Sequence, residues 1–250
     1  MHLDEWYGDI WGSRWPGLRA ALLSDNSAKT SLDGLISPYY LDSASIDTAS
    51  LLPVNEGDSV LDLCAAPGGK TLVLALKLRG TGRLVANDRS PDRRGRLKSV
   101  LDACLPESLR ANITVTGHDA GRWGLYEKEA YQAVLLDAPC SSERHVLNSP
   151  AHLSKWSPSR PKRLQKEQFT MLSSAYLTLE RGGFLLYSTC SVNPGENEGN
   201  AGRLLERHAD MEEIPAGLPF SEKREYGCLV LPDTAGGRGP MYCCLMRKKP

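Results

Sequence analysis

The chain has 250 residues, 24% of them charged, with 30 basic and 30 acidic side chains and therefore no formal net charge. Length alone gives a prior of one or two domains, and the composition excludes a low-complexity disordered chain. A global basic field is excluded too, so any nucleic acid must be met by a local patch.

The longest aliphatic runs, such as Leu72–Leu76, are too short to span a bilayer, and no membrane partner is expected. The start, Met1-His2-Leu3-Asp4-Glu5, has neither the basic nor the apolar region of a signal peptide. Seven cysteines are irregularly spaced, and none forms a C-x-x-C pair. That predicts separate thiols and no metal site. It also suits a reducing compartment, the cytoplasm first and the mitochondrion second.

In chain order, the first fifty residues stand apart. Trp6, Trp11 and Trp15 are three of the five tryptophans. With Arg14, Arg19 and the stripe Leu18, Ala21, Leu22 they predict a short helical extension that caps the remainder. Residues 51–250 then form one domain. Ser59–Leu63 reads as a buried strand, Thr71–Leu78 as a helix stopped by Gly80-Thr81-Gly82, and Arg83–Ala86 as a second strand. Ser90–Leu101 reads as a basic helix, Asn112–Thr116 as strand three and Gln132–Leu136 as strand four. Ser149–Pro161, rich in Pro and Ser, reads as a loop, and Gln165–Glu180 as an amphipathic helix. Gly183–Tyr187 is strand five, and Leu229–Leu231 and Met241–Met246 complete seven strands.

The apolar runs do not alternate strictly, which is how strands buried on both faces of a parallel sheet read. The fold class is therefore α/β, a doubly wound, mostly parallel, Rossmann-like sheet. Ligands bind such sheets at the C-terminal ends of the strands. Lys70, Asp88, Asp119, Asp137, Cys140 and Cys190 all follow strands and so belong on one rim.

Cys64-Ala65-Ala66-Pro67-Gly68-Gly69-Lys70-Thr71 resembles a P-loop only superficially. That motif needs glycine at position 64, and Pro67 removes a backbone donor from any phosphate cradle. What remains is a tight turn of small residues that lets a ligand approach the backbone. Asp88 lies twenty residues after Gly68, where a carboxylate can accept both hydroxyls of a ribose. Ser90 is free to cap the following helix in its place. Asp119 can receive an adenine amino group, or serve as a turn aspartate. Ribose and adenine contacts without a phosphate site describe S-adenosylmethionine.

Cys140 and Cys190 come directly after strands four and five. A thiolate there is a strong nucleophile toward carbon 6 of a pyrimidine, and addition makes carbon 5 able to accept a methyl group. Asp137, three residues before Cys140, is placed to offset charge on the base.

The sequence resembles the NSUN/Sun-type RNA cytosine-5 methyltransferases in three motifs of correct order and spacing. These are Leu61–Thr71, Asp137–Ser142 and Tyr187–Ser191, with Asn197-Glu198 following. The tract Glu143-Arg144-His145 resembles the animal mitochondrial ribosomal-RNA branch. The resemblance implies that Cys190 attacks and Cys140 assists product release. It also implies that Cys64, Ala65, Ala66, Pro67, Gly68, Gly69 and Lys70 line the methionine and ribose portions of S-adenosylmethionine. Asp88 and Arg93 would bind its ribose and neighbouring groups, Asp119 its adenine, and Asp137 its amino end or the target base. S-adenosylhomocysteine would be the product, with Lys70 bridging cofactor and cytosine.

RNA is then the expected partner, ribosomal first and transfer RNA second. The chain has no room for an added RNA-binding module, which leaves a role for a protein partner in specificity. Two basic runs are candidates for RNA contact: Arg89, Arg93, Arg94, Arg96 and Lys98; and Lys155, Arg160, Lys162, Arg163 and Lys166 around Trp156. A competing reading is an RNA-binding assembly factor that keeps the fold without turnover. The intact cysteines and Asp137 argue against it.

Overall fold

Side chains along the strands alternate between two cores, and this alternation fixes the architecture. In the computed structural model, which describes residues 2–24 and 29–250, Leu61, Val134, Leu136, Leu185 and Tyr187 join one core. Their neighbours Val60, Ala133, Leu135 and Leu186 join the other. Helices cover both faces, so the strands read as continuous apolar runs.

The N-terminal region comprises α1 (Leu3–Trp11), a 3-10 turn (Gly12–Arg14), α2 (Trp15–Leu23), a ribbon of β1 (Lys29–Ser31) and β2 (Tyr40–Asp42), and α3 (Ser43–Leu51). The alternating part follows as β3 (Ser59–Asp62), α4 (Gly69–Leu78), β4 (Arg83–Asn87), α5 (Pro91–Cys104), α6 (Glu107–Arg110) and β5 (Ile113–Thr116). After a 3-10 helix (Ala120–Leu125) come β6 (Tyr131–Asp137), α7 (Glu143–Leu147), α8 (Pro150–Leu153), α9 (Ser159–Thr178) and β7 (Leu179–Thr189). The chain continues through α10 (Glu198–Arg207), β8 (Met211–Glu213), β9 (Ser221–Lys223), β10 (Cys228–Val230) and β11 (Met241–Lys248).

The main sheet has the order β5-β4-β3-β6-β7-β11-β10-β9, with β8 beside β11. The first five are mutually parallel and the others antiparallel. All seven expected strands lie in this one sheet, which β8 and β9 enlarge to nine. The chain winds outward from β3 to β5, then returns to β6 on the other side. The C-terminal ends of β3 and β6 therefore flank a topological switch point, where open sheets form ligand crevices.

Two expectations need correction. Residues 149–161 are not one loop, because α8 begins at Pro150 and α9 begins at Ser159 with Pro161 in its first turn. Proline lacks an N–H, but first-turn amides have no intrahelical acceptor, so nothing is lost there. Helix α9 also ends at Thr178, and β7 starts at the next residue.

The N-terminal helices are built into the core. Leu3, Tyr7, Trp15, Leu18 and Leu22 are buried against the sheet's face. Arg14 makes ion pairs of 2.6 Å with Glu222 and 2.7 Å with Asp233, and Trp11 donates to the Val192 carbonyl at 3.2 Å. Tyr7 donates its hydroxyl to the fully buried Glu143. Glu143 also accepts from the Val192 amide at 3.0 Å and the Ser191 hydroxyl at 3.1 Å. Its neighbour Glu196 accepts from the Ser141 amide at 2.9 Å, the Ser141 hydroxyl and the Gln168 amide at 2.8 Å. Together the two carboxyls tie the loop after β6 to the loop after β7.

Burial, reinforced by the charge of Glu143, pushes the Glu196 carboxyl up to about 7. An acid raised on folding contributes stability that is fully present below its unfolded value and lost as pH rises through the folded value. Glu196→Gln, which cannot ionise, should therefore flatten the loss of stability between pH 5 and pH 8. Urea denaturation at both pH values should show the parent losing roughly 2 kcal/mol more than the variant. Equal losses would show that Glu196 does not titrate in this window.

Candidate active site

The turn between β3 and α4 is shaped by Gly68, whose φ of +120° lies where side chains are strained. A Cβ there would also sit 3.2 Å from the Leu97 and Val100 side chains. Beneath the turn, Asp62 is fully buried and accepts from the Thr71 hydroxyl through Oδ2 at 2.7 Å. Its Oδ1 has no hydrogen-bond partner, and burial pushes the carboxyl up to about 7. Asp62, Cys64–Pro67, Gly69, Lys70 and Asp137 surround a void of about 140 Å³.

Lys70 does not face solvent. Its ammonium crosses the switch point to Asp137 Oδ2 at 2.8 Å, and Ser188 donates to Asp137 Oδ1 at 2.8 Å. Burial works to depress the Lys70 ammonium, but the adjoining Asp137 carboxylate outweighs it and holds the group above the ordinary lysine value. The Lys70 ammonium is thus held in place between the strands.

A larger cavity of about 710 Å³ opens on the β4–β5 side, lined by Cys64, Asp88, Arg93, Asp119 and Arg163 among others. Asp88 is buried; its Oδ1 accepts from the Ser90 amide at 2.9 Å, and Oδ2 lies 3.4 Å from Arg93. Ser90 does cap α5. Arg93 also donates to the Ala66 carbonyl at 2.6 Å, so it knits the turn to Asp88. Asp119 caps the 3-10 helix through the Gly121 amide at 3.0 Å while lining the same cavity. Cys64 is half-buried, and desolvation with the nearby carboxylates pushes its thiol up, which marks an inert thiol.

On the other side lies a cleft of about 670 Å³, lined by Lys29, Ser142, Arg144, His145, Asn148 and Cys190 among others. Cys190 and Cys140 stand with sulfurs 3.0 Å apart. The hydrogen bond from Cys140 lowers the Cys190 thiol despite burial, while the same contact and burial raise Cys140. Of the two, Cys190 is the thiol whose ionised form the contact favours.

All six residues expected on the rim are there. The structure joins Lys70 to Asp137 and Cys140 to Cys190, and sets Asp88 and Asp119 around one cavity. It does not support Trp156 as a base-stacking platform. That ring packs at 6.5 Å from Trp6 and 6.1 Å from Tyr7, because the core of α1 claims it. Lys162 lies 5.4 Å over the Trp6 ring and Arg163 pairs with Glu167 at 2.7 Å, so the second basic run is partly engaged within the protein. In the first run, Arg94 donates to the Asp88 and Arg89 carbonyls at 2.9 Å. Sequence reading missed the polar supports Asp62, Ser188, Glu143 and Glu196. Only a carboxylate inside an apolar strand, Asp62 in SVLDL, carried a signal.

Residues 49–246 match the family described as 16S rRNA methyltransferase RsmB/F. The 5-cytosine rRNA methyltransferase NSUN4 of Mus musculus is 34% identical, over 97% of this chain and 65% of its own length. This chain thus spans less than two thirds of that relative. Among solved structures, PH0851 superposes with a TM-score of 0.83 at 22% identity, covering 98% of this chain and 65% of that one. NSun6 from Pyrococcus horikoshii, solved with SFG, superposes with a TM-score of 0.70 at 25% identity, covering 85% of this chain and 54% of that one.

Selective alkylation tests the assignment of the thiolate. Iodoacetamide at neutral pH should modify Cys190 ahead of Cys140, read by peptide mass spectrometry. Cys140→Ala should move the pH midpoint of Cys190 alkylation upward, since the donor that favours its thiolate is gone. An unchanged midpoint would show that the sulfur contact has no electrostatic effect.

Proposed function

The chain belongs to the RsmB/F family of RNA methyltransferases, and from that premise we propose that it methylates carbon 5 of a cytosine in RNA, ribosomal RNA first. The observation that carries this reading is the Cys140–Cys190 pair, 3.0 Å apart at the mouth of a cleft beside the Lys70–Asp137 ion pair. A binding protein without turnover has no need of a polarised pair of thiols.

Residues 51–250 form the catalytic unit in this reading. Residues 1–50 brace the cysteine loops through Tyr7 and supply Lys29 at the cleft. Cys190 as thiolate adds to carbon 6 of the cytosine, forming a carbon–sulfur bond and leaving carbon 5 electron-rich. Asp137, held by Lys70 and Ser188, accepts from the amino group of the base, and the Lys70 ammonium beside it offsets the negative charge that develops on the ring. When bound, S-adenosylmethionine supplies the methyl group that carbon 5 accepts. Cys140 then assists passage of the carbon 5 proton to solvent; the electron pair left behind re-forms the ring double bond and expels Cys190 as thiolate, freeing the product.

The residues present fit that cofactor. The void beside the 64–70 turn holds the unpartnered Asp62 Oδ1, suited to the ammonium of a methionine moiety. Asp88 and Arg93 in the adjoining cavity suit the ribose, and Asp119 the adenine. The SFG bound by the Pyrococcus relative, an S-adenosylmethionine analogue, supports the same choice. Seven unpaired thiols support a reducing compartment, cytoplasmic or mitochondrial. Among the described residues no helix is long and apolar enough to cross a membrane.

Bisulfite sequencing of ribosomal and transfer RNA incubated with the enzyme and S-adenosylmethionine should reveal a new protected cytosine in ribosomal RNA. Protection confined to transfer RNA would transfer the assignment to that substrate. Cys190→Ala should give neither methylation nor adduct. Cys140→Ala should accumulate a protein–RNA adduct that survives denaturing gels and disappears with RNase. The reverse pattern would exchange the two roles.

A further prediction concerns the cofactor. Asp88→Ala should weaken S-adenosylmethionine binding at least tenfold in calorimetry, the effect of losing a carboxylate that accepts from the ribose hydroxyls. Equal affinity would remove Asp88 from the ribose site.

A further inference from the structure

Ser142 presents a residue whose placement neither backbone preference nor helix capping explains. Its φ of +51° and ψ of +58° put a non-glycine residue in the left-handed region, a conformation that is normally costly. It occupies the N-cap of α7, where a serine hydroxyl ordinarily accepts from an amide of the first turn, yet it makes no such bond. The hydroxyl instead lies 3.3 Å from Cys190 Sγ and 3.4 Å from Cys140 Sγ. A third contact, to the Cys140 carbonyl at 3.4 Å, is long for an oxygen–oxygen hydrogen bond, whereas both sulfur distances are normal for the larger atom. Ser142 also lines the cleft that reaches Cys190.

We propose that Ser142 is a further catalytic residue, whose single hydroxyl proton is donated to whichever of the two cysteine sulfurs carries the negative charge. The inference rests on the reading of Cys190 as nucleophile. A thiolate in this pocket needs donors, because burial and the acidic side chains around it oppose its charge. Asp137 at the end of β6, Glu143 on α7 and Glu196 before α10 are acidic; Lys70 on α4 is a cation beside the pair, and Lys29, Asp42 and Arg144 line the cleft that reaches Cys190. His145 lines the outer cleft. Cys140 supplies one donor to Cys190 and Ser142 the second. The left-handed backbone swings the hydroxyl away from the helix and between the sulfurs.

Two variants separate this role from a structural one. Ser142→Gly removes the hydroxyl and relieves the backbone, whereas Ser142→Ala removes the hydroxyl and keeps the strain. Both should move the pH midpoint of Cys190 alkylation by iodoacetamide upward by about one unit, the effect of losing one charge-assisted hydrogen bond. Thermal denaturation should rank Gly above Ala, so the shift cannot be attributed to loosening of the fold. Parent-like alkylation profiles in both variants would overturn the proposal, as would a shift in Ala alone. The alkylation readout needs no RNA. A parent enzyme that methylates no cytosine would therefore refute the proposed function separately, leaving the hydroxyl–thiolate contact measured in its own right.

Discussion

Two loops that leave adjacent strands must end with their sulfurs 3.0 Å apart, and the pair of buried carboxyls beneath them makes this possible. Ser141 follows Cys140 and bonds to Glu196; Ser191 follows Cys190, bonds to Glu143 at 3.1 Å and lies 3.4 Å from Glu196. Each carboxyl thus grips a residue next to a cysteine, and Ser191 joins the two grips. Such a network is rigid only while its members are satisfied, because an unpaired polar group in a low-dielectric interior is expensive. Tyr7, Gln168, Asn197 and Asn200 complete it from α1, α9, the following loop and α10.

The sheet order adds the second constraint. Because winding reverses between β3 and β6, the residue after one strand faces the end of the other, and Lys70 meets Asp137 without any loop excursion. The ion pair divides the rim into two compartments. On the β4–β5 side the carboxylates of Asp88 and Asp119 border one cavity; on the β7 side Cys190 borders another. A methyl donor and a base can then approach from opposite sides of one fixed charge pair.

Much of this was legible in the sequence, for identifiable reasons. Runs such as SVLDL and QAVLL are apolar on both faces, which only a covered parallel sheet requires, and that topology alone assigns the residues after them to one rim. Helix α10 was not legible, since GENEGNAGRLLER mixes polar residues and glycine and takes its buried face from tertiary contact. The start of α9 was hidden by Pro158 and Pro161, which suggest a loop until their N-cap and first-turn positions are known. Trp156 looked available for stacking because nothing in its neighbourhood reveals that α1 folds back onto it. The left-handed backbone of Ser142 is a property of the folded loop, and no local signal announces it. The motif resemblance named Cys190 as the attacking thiol, but the sulfur contact joins residues fifty positions apart and no local signal announces it.

The Tyr7–Glu143 bond joins residues 136 apart in the chain, and Glu143 shares Ser191 with Glu196. A chain emerging from the ribosome can pair β3, β4 and β5 while still short, but the cysteine loops gain their final support only after residue 196 has appeared. Non-local closures of this kind are late in folding, because the entropy of the intervening loop is lost before the contact forms. The strands of the β4–β5 half are therefore synthesised before the carboxyl that supports the loop after β6. A nascent chain that ends before residue 196 holds both sulfurs but lacks the carboxyl that bonds to Ser141 beside Cys140.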